Sequence, residues 1–264
     1  MSGLPELPDV EAFRKVLVSC AVGRRIERVE VYDTGVLHGV SGRGLRRDLE
    51  GRRFAEPQRH GKWLLARTDG PTVLLHFGMT GQLLCSGPDD PLHRHDRVVF
   101  ALTGDRQLRY RDQRKLKGLW LLDEPGVTRM LHDQGPDATE VTPTAFEALL
   151  SGRRGSVKQA LLDQSALAGL GNLLVDEILW RSRLNPARKA NGLTREEQDH
   201  LYTEMRRTLR SAIRAGRVPP RNTWLTGHRD AAGAPCPRCG ESLHRGRIGG
   251  RGTVWCPRCQ PEVS

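Results

Sequence analysis

Two Cys-x-x-Cys pairs constrain this chain more than any other feature. Cys236-Pro-Arg-Cys239 and Cys256-Pro-Arg-Cys259 are separated by sixteen residues, a spacing that lets four thiolates close a tetrahedron around one structural Zn²⁺. Disulfides would need an oxidising compartment, and the chain opens Met-Ser-Gly-Leu-Pro-Glu without an apolar export segment. A redox Cys-x-x-Cys occurs singly beside a strand-helix unit, not as a matched pair. Residues 240–255 read as two short strands joined by a Gly-rich turn, so the metal pins a β-hairpin. Four thiolates on Zn²⁺ carry a formal charge of about −2, and Arg238, Arg245, Arg247, Arg251 and Arg258 more than offset it. Such a surface suits a purely structural zinc ribbon, or a hairpin whose Arg247 and Arg251 reach for phosphates. The zinc site alone does not separate the two.

The rest of the chain supplies the partner. A formal charge of +11 and a pI of about 10.0 point to a polyanion. No apolar run approaches a membrane span and no basic amphipathic stretch stands isolated, which favours nucleic acid over an anionic membrane. Six of the 42 basic residues are Lys; each is notable, because Lys can lose its proton and Arg cannot. Cys20 and Cys85 read as buried packing residues. The length allows two domains and a small satellite.

The pattern along the chain changes twice. Residues 8–20 read as an amphipathic helix with Pro8 in its first turn and Gly23 beyond its end. Pro5 and Glu6 therefore stand just before a helix N-terminus, where backbone N–H groups favour a carboxylate or phosphate. From residue 26 to about 123 the period becomes two. Strands are expected over 26–32, 52–57, 62–68, 72–78, 97–103, 107–112 and 118–122, as in an antiparallel sandwich. Residues 124–143 read as a linker. Helices follow over 142–151, 156–163 and 173–183, and Thr194-Arg-Glu-Glu197 is a capping box for a long helix that Gly216 ends. Gly169-Leu-Gly-Asn172, before the third of these, lets backbone amides approach a phosphate closely. Lys158 and Asn172 flank that corner.

Together these separated features resemble the formamidopyrimidine-DNA glycosylase and endonuclease VIII family of helix-two-turn-helix DNA glycosylases. Pro5-Glu-Leu-Pro-Asp-Val-Glu11 resembles its N-terminal signature, His60-Gly-Lys-Trp-Leu64 its β-hairpin lysine motif, and Gly169-Leu-Gly-Asn172 its helical corner. Gly250-Arg-Gly-Thr253, just before the last cysteine pair, is similar to its zinc-finger arginine motif. The resemblance implies an α+β fold: a catalytic β-sandwich with a flanking helix (1–125), a linker (126–142), a helix-two-turn-helix domain (143–230) and a zinc β-hairpin (231–264). It also implies a monomer of the bacterial cytoplasm, working at the nucleoid, that grips damaged or abasic duplex DNA between its domains. The activity implied is base-excision repair: hydrolase-type removal of the base, then lyase cleavage of the strand through a Schiff base.

The family's roles carry over residue by residue. Pro5 matches the nucleophile, Glu6 the acid/base, and Lys62 the lysine that contacts phosphate and lesion. Met79, Arg114 and Leu116 match the side chains that fill the hole left by the flipped nucleotide, with Leu116 standing where an aromatic ring is expected. His95, Lys158, Asn172 and Arg251 match phosphate contacts. The segment 217–235 is short where oxidised-purine enzymes carry a lesion-capping loop, which implies a wider or different substrate range.

One departure bears on the chemistry. Near physiological pH an α-amine with a pKa of about 8 is roughly one-fifth free base, against about one in a thousand for an ordinary lysine. Here four residues precede Pro5, and a proline nitrogen inside an amide has no nucleophilic lone pair. Translation starting at residue 4 and processing would expose the amine, the route we favour; otherwise Lys62, lowered in pKa by burial, takes over. A third alternative is a monofunctional glycosylase or lesion-binding protein on the same scaffold.

Overall fold

A computed structural model of the chain describes residues 4–262, so the expectation about the segment before Leu4 lies outside the described residues. Two compact units emerge: Asp9–Asp133 with the segment ending at Pro5, and Glu6–Pro8 with the chain from Gln134 onward.

In the first unit the elements run α1 (Leu7–Ala21, whose first two residues cluster with the second unit), β1 (Ile26–Val31), β2 (Leu37–His38), α2 (Gly42–Leu49), β3 (Gln58–His60), β4 (Trp63–Ala66), β5 (Thr72–His76) and β6 (Gln82–Ser86). Then come β7 (Asp96–Leu102), β8 (Arg106–Arg111), β9 (Leu119–Leu122) and α3 (Glu124–Leu131). One sheet has the order β1-β7-β8-β6, the other β2-β9-β5-β4-β3. Every pairing is antiparallel except the short β2–β9 contact. Alternation places Val29, Val98, Phe100 and Leu108 of one sheet and Leu64, Val73, Leu75 and Leu119 of the other in a single core, joined by Leu17 of α1 and Leu45 and Leu49 of α2. Each such side chain contributes about 1.5–3 kcal/mol on burial. The opposite face of the second sheet buries Leu65 and Leu74 under Val127 of α3.

The elements missed by sequence have local reasons. α3 occupies residues read as linker because Asp123 caps it, its side chain accepting from Gly126 N–H, and Pro125 sits in the first turn. Ser41 caps α2, which holds two glycines that mask its Leu45/Leu49 stripe. Residues 52–57 make only isolated bridges, Phe54 touching Val22 and Thr68. Cys20 and Cys85 are not separate packing residues: a disulfide joins α1 to β6, with Cys85 exposed.

In the second unit α4 (Pro143–Ser151), α5 (Val157–Leu162), α6 (Asn172–Arg181) and α7 (Arg195–Ala215) share a core of Phe146, Leu161, Leu174, Ile178, Leu201 and Met205. Complete capping boxes open α5 (Ser156/Gln159) and α7 (Thr194/Glu197), and Gly216, at φ 71°, ends α7 in the left-handed region. β10 (His244–Ile248) and β11 (Arg251–Trp255) form the expected hairpin about Gly249 and Gly250. No helix among the described residues is long and apolar enough to cross a membrane.

Candidate active site and nucleic-acid interface

Unlike α5 and α7, α6 has no side-chain cap; its N-cap is Gly171. Its first N–H groups therefore need an acceptor from elsewhere, and Glu6 supplies it. The Glu6 carboxylate accepts from Leu173 N–H at 2.8 Å and Leu174 N–H at 3.1 Å and is almost wholly buried. The sequence placed Glu6 before its own helix; the N-terminus that holds it belongs to α6. Glycine is required at 171, because a Cβ there would stand 2.1 Å from the Glu6 carboxyl carbon. Gly169, at φ +114°, accepts the Leu7 N–H at its carbonyl at 3.3 Å and fixes the chain beside Glu6.

The zinc hairpin reaches the same helix end. Asn172 donates its side-chain amide to the Gly252 carbonyl at 2.8 Å. Arg247 and Arg251 are exposed, and among the described residues their guanidinium groups have no hydrogen-bond or ion-pair partner. Lys158 corrects its assignment as a phosphate grip. It has no exposed surface, and its ammonium lies 2.5 Å from Asp176 and 2.8 Å from the Thr253 hydroxyl. The second position of α5 faces inward, and the four-carbon stem ends on α6. Burial pushes the Asp176 carboxyl up and the Lys158 ammonium down from their usual values, while the ion pair opposes both shifts.

Cys236, Cys239, Cys256 and Cys259 place their sulfurs within 4.8 Å of one another, matching the roughly 3.8 Å edges of a tetrahedron with Zn–S bonds near 2.3 Å. The donor set fits one structural Zn²⁺. Trp180 N–H points at the Cys236 sulfur at 3.4 Å, tying the site to α6.

In the first unit a second group converges. The Asp112 carboxylate accepts from the Thr80 hydroxyl at 2.5 Å and from Arg114 N–H at 3.1 Å, locking the Met79 turn to the Arg114 loop. A Cβ on Gly78 would meet that of Leu116 at 3.5 Å, and Leu116 is half exposed at 50%, so it is not a core residue. Met79 is half-buried and Arg114 exposed. The His95 carbonyl accepts from Asp112 N–H at 3.0 Å, which places His95 beside this group. Desolvation, Arg94 and Arg97 hold its imidazole below the usual value.

Lys62 lies in the β3–β4 turn. His76, passed over in the sequence, belongs with it. Burial, then Lys117 and Lys62, push its imidazole down to about 4, so it is neutral at pH 7 and accepts Gly78 N–H at 3.0 Å through Nδ1. Its place two residues before the Gly78-Met79 turn was the available signal.

Known proteins share these domains and this fold. Three family profiles match in chain order: the formamidopyrimidine-DNA glycosylase N-terminal domain over residues 4–119, the formamidopyrimidine-DNA glycosylase H2TH domain over 134–221, and the zinc finger found in FPG and IleRS over 233–261. Formamidopyrimidine-DNA glycosylase of Symbiobacterium thermophilum is 40% identical over 280 residues, covering 98% of this chain and 90% of the relative. That of Lactobacillus delbrueckii subsp. bulgaricus is 35% identical over 274 residues, covering 97% and 99%. The Lactococcus lactis enzyme bound non-covalently to DNA containing an AP site superposes with a TM-score of 0.86 at 28% identity, over 98% of this chain and 100% of that one. MutM in complex with DNA containing carbocyclic 8-oxo-G gives 0.88 at 29%, with the same coverage. With the geometry above, these matches define a DNA glycosylase of the helix-two-turn-helix class. The chain belongs to the formamidopyrimidine-DNA glycosylase family.

Proposed function

We propose that this chain is a bifunctional DNA glycosylase and AP lyase of base-excision repair, turning a damaged nucleotide out of duplex DNA, removing the base and cutting the strand through a Schiff base. The observation that carries the reading is the capture of Glu6 by the α6 N-terminus, with the zinc hairpin anchored at the same helix end through Asn172. A carboxylate fixed directly after Pro5 in the chain is placed to move protons as the glycosidic bond breaks and the sugar opens. The Pro5 amine attacks C1′ and expels the base, and the resulting iminium makes the C2′ proton acidic enough for elimination of the 3′ phosphate.

Lys62 contacts phosphate and lesion. Met79, Arg114 and Leu116 fill the vacated stack, and the missing ring at Leu116 weakens stacking by about 1–3 kcal/mol. His95, Arg247, Arg251 and the Asn172 N–H at the start of α6 take phosphates. Zn²⁺ holds the hairpin and takes no part in the chemistry. The N-terminal segment 1–125 supplies Pro5, Glu6 and Lys62, with Glu6 seated on α6; phosphate binding is assigned to the helical segment 143–230 and the last grip to the finger 231–264. The protein works as a monomer in the bacterial cytoplasm, at the nucleoid, in keeping with the bacterial origin of its relatives.

The nucleophile requires a free Pro5 amine. The family match begins at residue 4, one position before Pro5, which supports a mature chain starting at Pro5. Borohydride trapping on an abasic duplex tests this, with the adduct mapped by mass spectrometry. An adduct on Pro5 is expected; one on Lys62 moves the nucleophile there. No adduct from a chain that begins at Pro5 overturns the lyase and leaves the monofunctional or lesion-binding reading.

A further inference from the structure

We propose that Asp176 and Arg229 are positioning residues that set Arg251 against the DNA backbone. The inference rests on the reading of Arg251 as a phosphate contact. Its starting point is the Gly252 carbonyl, directly after Arg251, which accepts from the side-chain amide of Asn172 at 2.8 Å, Arg229 Nη2 at 3.0 Å and Lys158 Nζ at 3.2 Å. A carbonyl has two lone pairs, so three converging donors, two of them cationic, mark a node and not an incidental contact.

The node continues along β11. Thr253 presents its hydroxyl to Lys158 at 2.8 Å, and Val254 N–H donates to Asp176 Oδ2 at 3.3 Å. Three consecutive residues after Arg251 are thus fastened, at the carbonyl, the side chain and the amide in turn. Asp176 is the counter-ion of the cluster: Oδ1 takes Lys158 and Oδ2 takes Arg229. Its carboxylate is 1% exposed. Arg229 bridges Asp176 on α6 to Gly252 on β11, and its own carbonyl is held by Arg245 of β10. Its guanidinium is 14% exposed and already engaged, so it acts on DNA through the strand it fixes. The Arg251 side chain projects from the residue before these three, whose own carbonyl accepts from the Thr253 hydroxyl at 3.0 Å. Fastening keeps the entropy of the strand from being lost on binding, so the Arg251–phosphate contact forms at full strength.

A cluster that served only to hold the finger on would, when weakened, release zinc or lower affinity without regard to Arg251. The test is therefore a double-mutant cycle on a duplex carrying a tetrahydrofuran abasic analogue, with affinity measured against salt concentration. Arg251→Ala is expected to lower the slope of log K against log salt by about 0.9, the value of one phosphate contact. Arg229→Met should give the same loss with one zinc per chain retained, and Arg229→Met with Arg251→Ala should lose no more than Arg251→Ala alone. Asp176→Asn, which keeps the shape but removes the charge that orients Arg229, should behave as Arg229→Met does. An unchanged slope in Arg229→Met and Asp176→Asn, or additive losses in the double variant, overturns the positioning role while leaving Arg251 as a phosphate contact. An unchanged slope in Arg251→Ala itself overturns both readings.

Discussion

Glu6 accepts the backbone N–H of Leu173, 167 residues further along the chain, at 2.8 Å. The carboxylate assigned to proton transfer is therefore also the cap of α6, and its geometry is set by backbone atoms that cannot change rotamer. Glu6→Gln keeps one acceptor for the helix end but cannot hold or release a proton. Base excision is expected to fall by about 10²–10⁴-fold, measured in single turnover, with affinity for abasic-analogue DNA within about threefold. Gly171→Ala should inactivate by a different route, since its Cβ would occupy the space of the Glu6 carboxyl carbon. Circular dichroism of that variant should remain that of the parent protein; undiminished excision would show that the carboxylate does not need this seat.

Metal removal should separate DNA binding from the rest of the fold. Trp180 and Arg238 tie the cysteine cluster to α6, whereas the β-sandwich core contains none of the four cysteines. Cys239→Ala, or chelation of zinc, should abolish DNA affinity and loosen the hairpin without unfolding the sandwich. Gel-shift titration beside thermal unfolding checks this, and full affinity in Cys239→Ala would contradict it.

Glu177 gives a stability signature in pH. Burial pushes its carboxyl up to about 7 from an ordinary 4.5, against the opposing pull of Arg181 and the Thr226 N–H. Between those values the folded chain binds a proton that the unfolded chain has lost. The contribution is therefore complete below about 4.5 and disappears as pH rises through 7, a loss of about 3 kcal/mol. Urea unfolding between pH 5 and 8 should show this slope, and Glu177→Gln should flatten it.

The Cys20–Cys85 disulfide closes a loop of 65 residues, for which chain entropy gives about 4 kcal/mol of stabilisation. Cys85→Ser should lower unfolding free energy by up to that amount and leave DNA affinity unchanged. Thiol titration of the denatured, zinc-free protein prepared without reductant should find four reactive groups among the six cysteines, and six after reduction, the state expected in a reducing cytoplasm.

The features legible in the sequence were those whose cause is local. Paired cysteines, the Thr194-Glu197 box and the glycine after α7 specify their structures within a few residues, and the structure repeats them. What escaped depends on distant partners. Lys158 reads as an exposed cation because a charged residue is almost never buried unpaired; its partner Asp176 lies eighteen positions away on α6, beside a second buried carboxylate, Glu177. The capture of Glu6 by α6 leaves no trace near residue 6. Its only sign is the missing cap at Gly171, which is informative once the helix boundary is known.

The absent cap on α6 also governs the order in which this end of the molecule can be finished during synthesis. Glu6 emerges first, Asn172 after most of the chain, and Gly252 later still. A nascent polypeptide that has made the sandwich and the helices therefore has Glu6 in place while Lys158 still lacks two of its acceptors and Arg251 does not yet exist. Glu6 can thus settle on α6 before the residues that hold Arg251 have been made.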